Sequence, residues 1–280
     1  MAPATLDAAG YVFAGLWGAL WGSFMNVCIT RLPAGESVVS PRSHCRACGE
    51  RVRWHDNLPV ASFLLLRGRC RDCGARFSPL YAIVETLAAA LAIALWHRLV
   101  APAVDPAALA RALPLWLLHF AFAGVLIVLS FIDLATYRIP NAITYPCIPI
   151  FTAASLLVGH ERWWDGALGA LAGYVSLRLV SDGYFWITGR EGMGYGDAKL
   201  LALTGGFLGW RSLVPTVFLG SCVGAIVGIA LALARRRAGD GEASIRLTRI
   251  PFGPFLALGA LATFFFGDPF GWWLRVLLAE

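Results

Sequence analysis

The chain has 280 residues, 58% hydrophobic and 14% charged, with a mean hydropathy of +0.67. A soluble domain carries about 25% charged residues. That excludes a water-exposed globule and makes lipid the expected solvent. The formal net charge of +6 is concentrated between apolar runs, which argues against a nucleic-acid surface and for anionic lipid headgroups as neighbours.

A spanning helix needs about 20 mostly apolar residues. The sequence predicts an all-α polytopic membrane protein with about eight such helices, over 10–28, 79–100, 113–133, 139–159, 163–187, 197–210, 212–234 and 250–275. The first run lacks a basic n-region and an A-x-A site, so it is expected to be a retained span, not a cleaved signal. The sixth is short for a span. The eighth is interrupted at Gly267-Asp268-Pro269, which would leave its last part in the interface. Gly166, Gly169 and Gly173, and likewise Gly220, Gly224 and Gly228, recur on one helix face, a spacing that lets helices approach closely in lipid. Three parts are expected: a first transmembrane helix over 1–28, a cytoplasmic metal loop over 29–78, and a helical membrane domain over 79–280.

Arginine and lysine placement sets orientation. Arg31, Arg42, Arg46, Arg51, Arg53, Arg67, Arg69, Arg71 and Arg76 crowd into 29–78, and Arg235, Arg236, Arg237, Arg246 and Arg249 follow the seventh run. Arg138, Arg190 and Lys199 lie on the same side. The alternate connections hold one each: Arg111, Arg162 and Arg211. The amino terminus is therefore expected outside and the long basic loop in the cytoplasm. Helix three then ends at Asp133 on the face where helix six begins beside Asp197.

Cys45-x-x-Cys48 and Cys70-x-x-Cys73 are separated by 21 residues, a spacing that reads as a tetrahedral, closed and hence structural zinc site. Two disulfides are the alternative, which a reducing cytosol disfavours. A loop of this size with few large apolar residues needs such a staple to fold. His44 and His55 are expected at the surface, and Cys28, Cys147 and Cys222 as small buried hydrophobes.

Asp133 closes a long apolar run, where an ionisable group is costly unless it reaches the boundary. Asp197 follows Gly192, Gly194 and Gly196, a backbone that is easily approached but poor as helix interior. Alone, Asp197 reads equally as a helix N-cap, and the glycines before Lys199 suggest a phosphate loop; the spacing fits neither G-x-x-x-x-G-K-[ST] nor G-x-G-x-x-G. Together the aspartates suit a shared-proton dyad: one takes a proton from water and the other polarises a carbonyl. Such a pair titrates as one unit. Glu85, Arg178 and Asp182 are read as structural, Glu85 toward an arginine of the loop and Arg178 toward Asp182.

These residues resemble the type IV prepilin peptidase family over nearly the whole chain. Gly22-Ser-Phe-Met-Asn-Val-Cys-Ile-Thr-Arg-Leu-Pro33 is similar to its amino-terminal signature, and the paired cysteines to its zinc loop. Phe131-Ile-Asp133 with Ile139-Pro-Asn141 resembles the first aspartate motif. Gly194-Tyr-Gly-Asp197 is the G-x-G-D motif, and Ile250-Pro-Phe-Gly-Pro-Phe255 resembles the carboxyl-terminal signature. The resemblance implies an inner-membrane aspartic endopeptidase with Asp133 and Asp197 catalytic and Gly194, Gly196 and Lys199 in the supporting loop. It implies cleavage of a basic leader from type IV prepilins or type II secretion pseudopilins. It further implies N-methylation of the new amino terminus with S-adenosylmethionine, associated with the zinc loop and with Gly68 and Arg69. This chain departs from the family at Leu80-Tyr-Ala82, where many members read Arg-Tyr-Pro, and at Asn141, commonly Asp. An ion-coupled transporter with intramembrane carboxylates, or a zinc-organised scaffold without chemistry, are the competing readings.

Overall fold

The computed structural model describes residues 3–159, 162–189, 194–237 and 250–267. The described residues form helices joined by turns, with two isolated β-bridges and no strand. Every predicted run has a helix: α1 (Pro3–Arg31), α3 (Leu80–Leu99), α4 (Pro106–Thr136), α5 (Asn141–Ala154), α6 (Asp165–Thr188), α7 (Tyr195–Leu208), α8 (Leu213–Arg237) and α9 (Gly253–Phe266). One short helix was not predicted, α2 (Ala61–Leu65) inside the loop.

Among the described residues, four helices are long and apolar enough to cross a membrane: Ala8–Arg31, Leu80–Leu99, Pro106–Thr136 and Trp210–Arg236. The other predicted runs are helices as well, Asn141–Leu157 and Gly253–Phe266 being apolar but shorter. Fourteen residues, as in α5, α7 and α9, rise only about 21 Å, short of a hydrocarbon core of about 30 Å. Helix α9 ends at Phe266, with Gly267 at φ +79. Asp268 and Pro269, the remainder of the expected eighth run, and Arg190, Gly192, Arg246 and Arg249 lie outside the described residues.

Two compact units are present, Met1–Val128 and Leu129–Glu280. In the first, α1 lies against α3. The α1 run continues three residues past the predicted end, through Arg31, whose guanidinium bonds the Ser37 carbonyl at 2.9 Å. In the second unit, α6 and α7 are in backbone contact. A Cβ on Gly173 would meet Leu201 O at 2.6 Å, and one on Gly169 would overlap Gly205 O. The glycine row of α6 therefore sets the seat of α7, which carries Asp197. Gly220 and Gly224 of α8 likewise admit Phe255 of α9.

Candidate functional site

The four-cysteine cluster lies in the first unit. Each C-x-x-C pair closes the same turn: Cys45 N–H bonds Glu50 O and Gly49 N–H bonds Cys45 O, both at 2.8 Å. In the second turn Cys70 N–H bonds Ala75 O at 2.8 Å and Gly74 N–H bonds Cys70 O at 3.0 Å. Gly49 and Gly74 sit at φ +75 and +72, a left-handed conformation that side-chain-bearing residues avoid. The bridges His44–Arg51 and Arg69–Arg76 flank the two turns.

All four sulfurs lie within 4.8 Å of one another, none in a disulfide, and Cys45 Sγ is 3.8 Å from Cys73 Sγ. Tetrahedral zinc–thiolate bonds of about 2.3 Å give sulfur–sulfur edges of roughly 3.8 Å, so the cluster has the size of a four-sulfur metal site. Its electrostatics agree. N–H groups of Cys48 and Ala47 lower the Cys45 thiol to about 7. Cys48 is pushed up to about 12: the Glu50 N–H opposes the rise, but desolvation and the neighbouring sulfurs prevail. Crowded thiols resist joint ionisation until a cation joins them. The tetrad can hold a metal ion and leaves no protein ligand position for water. His44 and His55 are not members: His44 Nδ1 faces Arg42 O and His55 lies beside Asp56. Arg71 forks onto Asp56 at 2.8 and 2.6 Å, which holds that carboxyl below its ordinary value. Cys28 and Cys147 are half-buried and Cys222 is exposed, so the expectation that all three are buried is corrected.

Gly68 and Arg69 stand immediately before the second turn. Gly68 has φ +64, and a Cβ there would meet the Phe63 ring at 2.9 Å. Arg69 is exposed.

Asp133 and Asp197 are both buried in the second unit. Asp133 is 5% exposed and three residues from the end of α4. The chain leaves α4 through Tyr137, at φ +55, whose N–H returns to Asp133 O at 2.8 Å. Asp197 is 9% exposed in the first turn of α7. The N-cap of α7 is Gly194, with no side-chain cap bond. The N-cap reading of Asp197 is thereby excluded, and its carboxylate is not spent on the helix end.

Two residues that sequence reasoning left without a role shape this site. Gly253, the first residue of α9, donates its N–H to Asp133 Oδ2 at 3.1 Å, and a Cβ there would stand 2.7 Å from the same oxygen. Ile139 fills the space between the motifs: hypothetical Cβ atoms on Gly196 and Gly253 would meet it at 2.9 and 3.3 Å. That steric limit is a physical reason for glycine at Gly196, whereas at Gly194 a Cβ would make only ordinary contacts. The available signal was a glycine before a proline at a helix start, Phe252-Gly253-Pro254. Among the described residues Lys199 forms no ion pair with Asp133 or Asp197. It donates to Asn141 Oδ1 and lies 4.8 Å from the Tyr145 ring, so it ties α7 to α5. Asn141 is therefore a working partner. Arg178 pairs with Asp182 at 3.2 Å as expected and also covers the Tyr195 ring at 3.9 Å. Glu85 meets no loop arginine; it accepts the Val60 N–H at 2.7 Å.

Residues 16–99 match the family described as bacterial peptidase A24 N-terminal domain, and residues 120–229 the type IV leader peptidase family. Similar proteins include the prepilin leader peptidase/N-methyltransferase of Aeromonas salmonicida, 35% identical over 94% of this chain and 93% of its own. Those of Burkholderia pseudomallei (34%, over 92% and 86%) and Pseudomonas putida (36%, over 90% and 88%) carry the same name. No solved structure matches. With identity at this level along almost its full length, the chain belongs to the type IV leader peptidase family.

Proposed function

We propose that this membrane enzyme cleaves the leader of type IV prepilins or pseudopilins with the Asp133–Asp197 pair and then N-methylates the exposed amino terminus. Family membership and the name borne by its relatives support both activities; they leave the transporter reading without support. The observation that supports the peptidase assignment is the pair of buried carboxylates, neither used for capping, at the end of α4 and in the first turn of α7, with Ile139 packed beside both Gly196 and the glycine that bonds Asp133.

Asp133 already accepts an N–H, as an ionised carboxylate does, so it is assigned the base. It takes a proton from the water that attacks the scissile carbonyl carbon. Asp197, carrying the shared proton, donates it to the carbonyl oxygen; as the C–N bond breaks, Asp133 passes the proton taken from water to the leaving amine and Asp197 recovers a proton from a hydroxyl of the tetrahedral intermediate. The substrate has an apolar helix behind a basic leader, so its cleavage point lies at the membrane boundary, where water is available. The arginine distribution supports a boundary on the cytoplasmic face of the inner membrane, with the amino terminus periplasmic. The exposed arginines of the loop suit anionic lipid headgroups.

Zinc is the metal proposed for Cys45, Cys48, Cys70 and Cys73, as the staple of the loop over 29–78. The methyl group would come from S-adenosylmethionine, whose sulfonium methyl carbon passes to the deprotonated amine nitrogen. Arg69, exposed beside Cys70, offers a guanidinium for that donor's carboxylate. The test is incubation of the purified protein, in detergent and without any ion gradient, with a prepilin and S-adenosylmethionine. A shortened product heavier by one methyl group is expected. An uncleaved prepilin rejects the peptidase, and a cleaved but unmethylated one rejects the second activity.

A further inference from the structure

The amino-terminal motif and one buried carboxylate are unused by the peptidase chemistry. Glu85 is 7% exposed, near the start of α3. Gly22 of α1 lets the helices touch there: a Cβ on it would meet Glu85 Cα at 2.7 Å. Ser23 and Asn26, from the same motif, border the carboxyl, and Asn26 Nδ2 donates to Tyr81 O at 2.9 Å. Glu85 is thus held by α1 and α3 while accepting an N–H from the metal loop.

The donor, Val60, is strained. Its φ of 59 and ψ of −49, with Ala61 N–H bonding Pro59 O at 2.5 Å, make a γ-turn of the rare positive-φ kind. A β-branched residue there is an outlier, of a type that persists only where surroundings hold it and that clusters at functional sites. A hydrogen-bonded path runs on from this turn. Leu64 N–H bonds Val60 O at 3.1 Å across α2, and Gly68 N–H bonds Phe63 O at 2.8 Å. Phe77 N–H bonds Gly68 O at 2.7 Å, and Cys70 follows two residues after Gly68. Ser62 Oγ adds a brace by bonding His55 O at 3.1 Å and accepting the Leu58 N–H at 3.0 Å.

We propose that Glu85 is a positioning residue for methyl transfer: through the Val60 N–H it fixes the height of the Gly68–Cys70 segment against the helix ends. The reason is chemical. The acceptor amine belongs to a membrane-anchored helix and stays at the boundary, so the loop that presents the donor has to be registered against that same boundary. A small misplacement of reacting groups costs orders of magnitude in rate.

This rests on the reading of the loop as the methyl-transfer element. The experiment uses the full chain in detergent, a pre-cleaved pilin peptide with a free amino terminus, and Glu85→Gln, Glu85→Ala and Cys70→Ser. Glu85→Ala should slow methyl transfer about tenfold or more, in kcat more than in KM for the donor, and Glu85→Gln less, since its amide oxygen still accepts the Val60 N–H. Zinc content and leader cleavage should stay at wild-type level, and amide exchange over 58–68 should quicken. Methylation by both variants at the wild-type rate overturns the proposal. So does loss of zinc and cleavage in proportion to methylation in the near-isosteric Glu85→Gln, which would make Glu85 mere support for the fold. If Cys70→Ser still methylates, the reading of the loop falls as well; if Cys70→Ser is inactive while Glu85→Ala is normal, only the role of Glu85 falls.

Discussion

Gly253→Ala adds one carbon to the backbone that faces Asp133. That carbon would stand 2.7 Å from Asp133 Oδ2 and 3.3 Å from its Cγ, closer to the oxygen than nonbonded carbon and oxygen settle. The opposite side is already filled, with Ile139 Cδ1 at 3.3 Å from the same point. The carboxylate has to turn or retreat, and the 3.1 Å bond from Gly253 N–H is then lost or lengthened. A hydrogen bond to a charged group contributes about 1.5–3 kcal/mol, and displacement of a catalytic group by about 1 Å can cost roughly a hundredfold in rate. Leader cleavage should therefore fall about ten- to a hundredfold. The assay follows a prepilin peptide by mass in detergent, with zinc content and methylation of a pre-cleaved peptide measured on the same preparation. Both controls belong to the first unit and should be unchanged. Cleavage at the wild-type rate by a folded Gly253→Ala protein would refute the argument that the start of α9 sets Asp133.

Gly196→Ala would press on Ile139 at 2.9 Å; an overpacking cost of about 1–3 kcal/mol should appear as reduced cleavage and a lower melting temperature in detergent. Cys45→Ser or Cys70→Ser should remove bound metal, measured by elemental analysis, and abolish methyl transfer, because such a loop folds on its metal. Lys199→Met deletes the donor to Asn141 and should lower the melting temperature, the contact being worth at most about 3 kcal/mol, while leaving cleavage within about tenfold, since Lys199 bonds Asn141 and pairs with neither aspartate. Gly169→Leu should destabilise the protein more than any of these, because even a Cβ at Gly169 overlaps the backbone of α7.

Much of the site could be read from the chain because its chemistry has local spacing. Two C-x-x-C-Gly turns specify their own geometry, and Gly49 and Gly74 show the positive φ that their place in the turn demands. Helix positions followed from apolar runs. Their ends did not, because α1 continues through Cys28-Ile-Thr-Arg31, where hydropathy fades but nothing breaks the helix. Helix lengths were hidden for a related reason: apolarity alone does not reveal that α5, with Pro146 and Pro149 inside it, stops as a regular helix at Ala154. The contacts that aim Asp133 were hidden, because Gly253 acts through a backbone N–H from 120 residues away and no side-chain pattern announces that. Glu85 was misassigned on charge. Its position suggested an arginine partner, whereas the structure gives it the amide of a strained valine, which no propensity anticipates.

The most direct measurement is leader cleavage by Asp133→Asn and Asp197→Asn proteins shown to be membrane-inserted and metal-loaded. Asparagine keeps the shape of each side chain but cannot pass a proton between water and the substrate, so each variant should lose cleavage by about a thousandfold or more while still methylating a pre-cleaved peptide. A rate near wild type from either one would mean that these two carboxylates do not share the hydrolysis.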